Sequence, residues 1–315
     1  MQPTPGEPQQ QWRTTRARRA EVAEAVAALH AGVAHRRDLR EGGLTRFDVR
    51  SEIAAGRWRA AGKHTVIIGT GDLGDEARLW RAVWESGSGA VLDGAAALVA
   101  GGLKRFRPDH IDVSVPAGNR HHRIEGVRLH RPRRVGPAIG VGVPRVRPEI
   151  AALRAALWAR SDRQAALIVC LVVQQRIVRP ERLHAAWEGL PPRQRRPFVG
   201  TVIGDVCNGA HSLGELDFAG LCREHGIPDP TRQAVRTVSG GRVYLDVAWE
   251  DVGLVVEIDG GHHALALSPV DDALRQNDVV LDGQPVLRIP VLGLRLCPAK
   301  FMAQVVRGHQ MLRAA

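Results

Sequence analysis

The stretch Gly241–His263, GRVYLDVAWEDVGLVVEIDGGHH, constrains the fold more than any other part of this chain. Alternating apolar and polar residues predict two short strands, Val243–Ala248 and Leu254–Ile258, joined by a tight turn through Glu250, Asp251 and Gly253. Successive side chains on a strand point to opposite faces, so Tyr244, Asp246 and Ala248 share one face of the first strand. On the second, Val255, Glu257 and Asp259 share a face, and Leu254, Val256 and Ile258 share the other. Three carboxylates thus interrupt strands that are otherwise apolar, where Asp and Glu are depleted. Burying an unpaired carboxylate is costly, so each calls for a cation, a metal ion or a proton. A divalent metal held by Asp246, Glu257 and Asp259 answers all three at once. Neighbouring arginines are the simpler answer.

A chain of 315 residues has room for two cores. Its formal net charge of +11 and isoelectric point near 10.8 favour an acidic partner, with DNA first among the candidates. Nearly all the positive charge is arginine, as a GC-rich genome also produces; Lys63, Lys104 and Lys300 are the only lysines. Cys170, Cys207, Cys222 and Cys297 form no C-x-x-C pair, which argues against a zinc ribbon or redox motif and suits free thiols in a reducing compartment. The N-terminal residues lack the apolar core of a signal peptide, and the longest apolar run, Ala165–Val173, is too short to span a bilayer. The expectation is a soluble, cytoplasmic protein with no membrane partner.

Residues 1–19 read as a flexible basic tail carrying Arg13, Arg16, Arg18 and Arg19. Residues 20–70 read as a small DNA-binding domain. Ala20–His30 has helical spacing, Gly32 turns the chain, and Arg36–Glu41 fits a second helix ended by Gly42 and Gly43. Thr45 caps a third helix with Asp48 as its capping-box partner, Gly56 closes it, and Trp58–Ile68 forms a hairpin. Three helices and a hairpin predict a winged helix-turn-helix. Its third helix presents Arg46 and Arg50 to DNA one turn apart and turns Val49 and Ile53 inward. The plainer alternative is a helical domain whose arginines only keep it soluble. The segment VAALHAGVAHRRDLREGGLTRFDVRSEIAAGRW resembles the N-terminal winged helix of AbiEi-type abortive-infection antitoxins, over about a fifth of the chain. That resemblance implies promoter binding, repression of the protein's own operon and a cognate toxin as partner. The chain departs from it after the third helix, where the family commonly has a Gly-Val-Tyr strand and this sequence has His64-Thr65-Val66.

Residues 71–135 read as a small α+β extension: two helices within Glu76–Gly102, then strands His110–Val115 and Gly126–His130. His121 and His122 are adjacent, point opposite ways on a strand and have no ligand partner at metal spacing, so no metal site is assigned there. Residues 136–206 form a linker and helical connector, with Pro132–Pro148 as linker and helices at Ile150–Ala159, Arg163–Gln175, Pro180–Glu188 and Arg193–Val206.

Residues 207–315 read as an α-β-β-α-β-α module, which makes the whole chain α/β in the broad sense, α+β overall. A helix spans His211–His225, with Ser212 and Glu215 as its capping box; Pro228 and Pro230 stop it before the two acidic strands. A helix begins at Ser268-Pro269 with Asp271 and Asp272 at its N-terminal dipole, the strand Pro285–Ile289 carries Arg288, and a helix over Pro298–Leu312 ends the chain. Asp on one strand and Glu-x-Asp on the next resemble the PD-(D/E)XK nuclease core. A family of unknown function related to very-short-patch-repair (Vsr) endonucleases is the nearer likeness. LDV at 245–247, VEIDGGHH at 256–263, DALRQND at 272–278 and VLRI at 286–289 carry the resemblance.

What it implies is Mg²⁺- or Mn²⁺-dependent hydrolysis of DNA phosphodiesters. Asp246 bridges the ion, Glu257 is the second ligand, Asp259 completes the acidic set, and Glu215 adds an outer contact. The nuclease pattern has lysine where this chain has Asp259; relatives with E-x-D-G-x-x-H share that change, and His263 then acts as general acid or base. Arg275, as a DNA contact, or Arg288 supplies the missing positive charge; the plainer role for Arg275 is an ion pair with Asp272, one helical turn earlier. The expected function is a DNA endonuclease targeted by a winged helix. The alternatives are a non-catalytic antitoxin-like transcriptional regulator built on a silent nuclease fold and a toxin-binding adaptor.

Overall fold

The structure, a computed structural model, describes residues 15–118, 123–191, 196–207, 216–238, 242–259, 286–314 and Val270, Asp271, Ala273, Leu274 and Asn277. It is a mixed α+β protein with twelve helices and three sheets among the described residues. The chain forms two compact units, Met1–Leu92 with Asp109–Arg145, and Asp93–Pro108 with Val146–Ala315.

The first unit opens with α1 (Arg16–Ala28), β1 (Val33–His35), α2 (Arg36–Glu41), α3 (Arg46–Ala54), β2 (Arg59–Ala60) and β3 (Thr65–Ile67). The strands form a sheet in the order β1-β3-β2. Ala23, Leu39, Val49, Trp58 and Val66 meet in one core, with Ile53 packed at its edge. The capping box at Thr45 and Asp48 is present: the Asp48 amide donates to Thr45 Oγ1 (3.2 Å) and the Thr45 amide to Asp48 Oδ2 (2.9 Å). Two features differ from the sequence expectation. Helix α1 starts at Arg16 behind a Thr15 cap, so the basic tail cannot run to residue 19. Arg19 instead pairs with Glu52 (2.7 Å) and Asp48 (3.5 Å), because the buried Glu52 carboxylate needs cations and takes Arg19 and Arg57. Strand β1, three residues long and too short for a periodic signal, also joins the sheet; His35 ends it and caps α2 by accepting from the Arg37 amide (3.0 Å).

Helix α4 (Asp75–Ser86) and a second sheet of β4 (Val91–Leu92), β5 (Ile111–Ser114), β6 (Val127–His130), β7 (Ala138–Ile139) and β8 (Arg145–Val146) follow, in the order β6-β5-β4-β8-β7. The stretch read as a linker thus contains two short strands, and Arg145 pairs with Leu92 in parallel. His121 and His122 lie outside the described residues.

Glu85 ties α4 to the hairpin. Its carboxylate accepts from the amides of Lys63 (2.8 Å), His64 (2.8 Å) and Thr65 (2.9 Å) and from the Thr65 hydroxyl (2.7 Å). A Cβ on Gly62 would collide with the Glu85 carboxylate, so a glycine at 62 lets the turn close on that group. Burial pushes the Glu85 carboxyl up, but the hydrogen bonds from Thr65, His64 and Lys63 outweigh it and hold the group below its ordinary value. Its stabilising effect is therefore complete above the ordinary glutamate pKa and fades as pH falls through the lowered one. Replacing Glu85 with Ala leaves the donors unpaired and should cost about 1–3 kcal/mol. Hydrogen-exchange protection factors at the amides of Lys63, His64 and Thr65 should fall in E85A at neutral pH, and in the wild type only under acid.

The second unit contains α5 (Gly94–Ala100), α6 (Pro148–Leu157), α7 (Asp162–Gln174), α8 (Pro180–Glu188), α9 (Pro197–Cys207) and α10 (Phe218–Glu224). Strands β9 (Arg232–Val238), β10 (Arg242–Trp249), β11 (Leu254–Asp259) and β12 (Val286–Pro290) follow, and α11 (Val291–Leu296) and α12 (Pro298–Ala314) complete it. Pro148 and Pro180 occupy first-turn positions of α6 and α8, where a missing N–H costs nothing. The helices expected to be a connector belong to the same compact unit as the acidic strands, and Arg295 of α11 pairs with the buried Asp205 of α9 (3.1 Å).

The sheet runs β12-β11-β10-β9, antiparallel except for the parallel β11–β12 pair. Strand β9 is an addition to the expected α-β-β-α-β-α order. Its Arg232, Gln233 and Val235 are exposed, as an edge strand allows, and that polarity masks it in the sequence. One sheet face is core: Leu245, Val247, Trp249, Leu254, Val256, Ile258, Leu287 and Ile289 are all buried, with Phe218 and Phe301. Ser212 and Glu215 lie outside the described residues; α10 begins at Phe218 with Asp217 as its cap, accepting from the Gly220 amide (2.7 Å). Among the described residues no helix is long and apolar enough to cross a membrane.

Candidate active site

The turn between β10 and β11 fixes how the acidic residues meet. Gly253 takes a φ of +72°, a left-handed conformation that favours glycine. The Thr231 hydroxyl donates to the Ala248 carbonyl (2.9 Å) and accepts from the Glu250 amide (2.9 Å), tying the approach to β9 to the same turn. In the resulting antiparallel register Asp246 lies opposite Glu257 and Tyr244 opposite Asp259. In the parallel pair Glu257 lies beside Arg288. Directly opposed residues share a face, and so do residues two apart on a strand. Asp246, Glu257, Asp259 and Arg288 therefore occupy one face, the one turned away from the core. The sequence assigns faces within each strand, and the register adds that the three carboxylates share one.

Their environment differs from a fully buried one. Asp246, Glu257 and Asp259 are half-buried, which lowers the desolvation cost that makes a metal compulsory. Glu257 accepts a hydrogen bond from Arg288 Nε at 3.0 Å, the simpler partner foreseen for such a group. That pair is lopsided: the Glu257 side chain is 33% exposed and Arg288 67%. Asp246 and Asp259 also interact with their surroundings. Among the described residues, no three of His, Cys, Asp and Glu converge closely enough to hold a metal ion. The donor set nevertheless suits a hard divalent cation. Two carboxylates on adjacent strands leave the remaining positions to water or phosphate, which is how Mg²⁺ is usually held. His263, Arg275 and Glu215 lie outside the described residues. The four cysteines are free, and burial pushes Cys207 up to about 11 and Cys222 up to about 12, which keeps these thiols protonated.

Asn277 is a residue the sequence pattern does not single out. Its amide is buried, donating to the Arg288 carbonyl (3.0 Å) and accepting from the Arg288 amide (3.0 Å). Asn277 also donates to Gln304 Oε1 (3.2 Å), and Gln304 Nε2 donates to the Leu274 carbonyl (2.8 Å). The side chain thus does for edge strand β12 what a further strand would do, and it fixes the backbone that carries Arg288. The clue was an asparagine within a segment of otherwise helical spacing, where a buried amide must find partners.

In the first unit, Arg46 and Arg50 are exposed on α3, while Val49 is buried and Ile53 half-buried. Arg46 lies over the ring of Phe47 (4.8 Å to its centroid), and Phe47 is itself 61% exposed. The pair leaves an aromatic ring and a guanidinium together on the solvent side of α3, a cation–π contact that charge alone does not reveal.

No family model matches the chain, and no curated protein sequence matches it. Among solved structures, the crystal structure of the RV2827C protein from Mycobacterium tuberculosis is similar at 18% identity and a TM-score of 0.40, over 64% of this chain and 80% of that one. Similarity at this level transfers neither fold nor function.

Replacing Asn277 with Ala should unpair both backbone groups of Arg288 and cost about 2–3 kcal/mol. Hydrogen exchange should show the Arg288 amide losing protection while the amides of α3 keep theirs. Unchanged protection at Arg288 would mean that Asn277 does not hold β12.

Proposed function

We propose that this protein is a divalent-metal-dependent DNA endonuclease, with a winged helix that grips duplex DNA and a restriction-endonuclease-like unit that cleaves it. The observation that carries the reading is the β10–β11 register, which sets Asp246 against Glu257 on the outer face with Asp259 two residues along. Three further features support it. In the β9–β12 sheet the two acidic strands are followed by helical residues and then β12, an order in keeping with the nuclease resemblance apart from the added β9. The order helix, strand, helix, helix, hairpin in the first unit fits a winged helix. The net charge of +11 suits a polyanion.

Asp246 and Glu257, with Asp259 beside them, would hold Mg²⁺ or Mn²⁺. The bound ion supplies an activated water and charge neutralisation at the phosphate. Arg288 adds a cation on the same face, in a chain whose motif has Asp259 where nucleases have lysine. Arg46 and Arg50 contact the phosphate backbone or base edges. Free thiols suit the reducing cytoplasm where DNA is found. His263 as proton carrier and Arg275 as a DNA contact belong to the same proposal.

A second reading has its own observation. The Glu257–Arg288 pair already neutralises one carboxylate, which favours a catalytically silent fold in an antitoxin-like regulator acting with a toxin partner.

Purified protein with supercoiled plasmid and Mg²⁺ or Mn²⁺ should nick the DNA, and D246A should slow nicking on the order of a thousandfold. The double variant R46A/R50A should weaken duplex binding about ten- to hundredfold. Binding without any nicking, metal-independent and lost in R46A/R50A, would replace the nuclease with the regulator.

A further inference from the structure

The pairing of Arg288 with Glu257 has a consequence for how the acidic face is used. The guanidinium sits on an oxygen that a metal ion would need: Nε reaches Glu257 Oε2 at 3.0 Å, from the neighbouring strand at the same register level. This placement is built in. Asn277 grips the amide and carbonyl of Arg288, and Gln304 anchors Asn277 from α12, so the Arg288 backbone is held while its side chain stays 67% exposed. A fixed root with a solvated head suits a cation that changes partners, because moving the side chain disturbs no core contact. The pair itself is weak: partly exposed ion pairs are screened and contribute little. Such a pair can hold a carboxylate yet yield it to a doubly charged ion.

We infer that Arg288 is the resident counter-cation of the acidic face: it neutralises Glu257 in the metal-free protein, competes with a divalent ion for that carboxylate, and once displaced turns to a DNA phosphate. This rests on the proposed nuclease reading and assigns Arg288 a positioning role within it. The competition gives Arg288 opposite effects on two ligands. Removing its charge strengthens metal binding and weakens DNA binding in the presence of metal. A residue that only holds the sheet together would weaken both or neither.

The test is calorimetric titration of Mn²⁺ into the full-length wild type, R288Q, R288K and the double variant R288Q/D246N, with thermal melting to show that each is folded. R288Q should bind Mn²⁺ about two- to fivefold more tightly than the wild type, the range expected for losing a partly exposed pair. R288K should fall between them, and R288Q/D246N should lose the gain. With Ca²⁺ present to block cleavage, R288Q should bind a DNA duplex several-fold more weakly than the wild type. Equal Mn²⁺ affinity in R288Q and wild type overturns the role of Arg288 and leaves the nuclease reading standing. No Mn²⁺ binding by any variant, or binding indifferent to D246N, overturns both.

Discussion

The register between β10 and β11 is the constraint on which the rest of the second unit depends. Side chains on a strand repeat every two residues, so one face of this sheet takes Leu245, Val247, Val256 and Ile258 into the core and the other receives Asp246, Glu257 and Asp259. A slip of one residue would exchange the two sets, burying carboxylates and exposing aliphatic side chains. That penalty, together with the Gly253 turn and the Thr231 hydroxyl that bridges Ala248 and Glu250, makes the alignment of the acidic groups a by-product of core formation. The chain does not have to pay separately for gathering its negative charge.

The same economy recurs where other charged groups are placed. Glu52 holds Arg19 and Arg57, Glu85 closes over the 62–65 turn, and Asp205 anchors Arg295. These buried carboxylates have partners that account for them structurally. Glu257 differs in degree. Its partner is exposed and displaceable, and it lies on a face with two more carboxylates. That contrast separates a structural ion pair from one that can be exchanged for a ligand.

Much of this was legible from sequence because it rests on local rules. The capping box at Thr45 and Asp48, the span Arg36–Glu41, the proline opening α8, and the alternation in LDV and VVEID each follow from the nearest few residues. The losses share a cause: they depend on partners distant in sequence. Strand β1 is defined by pairing with β3, β8 by pairing with β4, and β9 by pairing with β10. Arg19 read as part of a tail because its partners, Asp48 and Glu52, lie 29 and 33 residues away. Asn277 serves a strand that begins nine positions later. Half-burial of the acidic face was equally hidden, since alternation assigns residues to faces but does not say which face is covered.

The central claim, that the aligned carboxylates of this hairpin exist to hold a divalent ion against DNA, can be tested most directly by crystallography. Crystals grown with Mn²⁺ should show an anomalous peak within bonding distance of carboxylate oxygens of both Asp246 and Glu257, with Arg288 withdrawn from Glu257. A map with no such peak at saturating Mn²⁺, and with the guanidinium still seated on Glu257, would contradict the account.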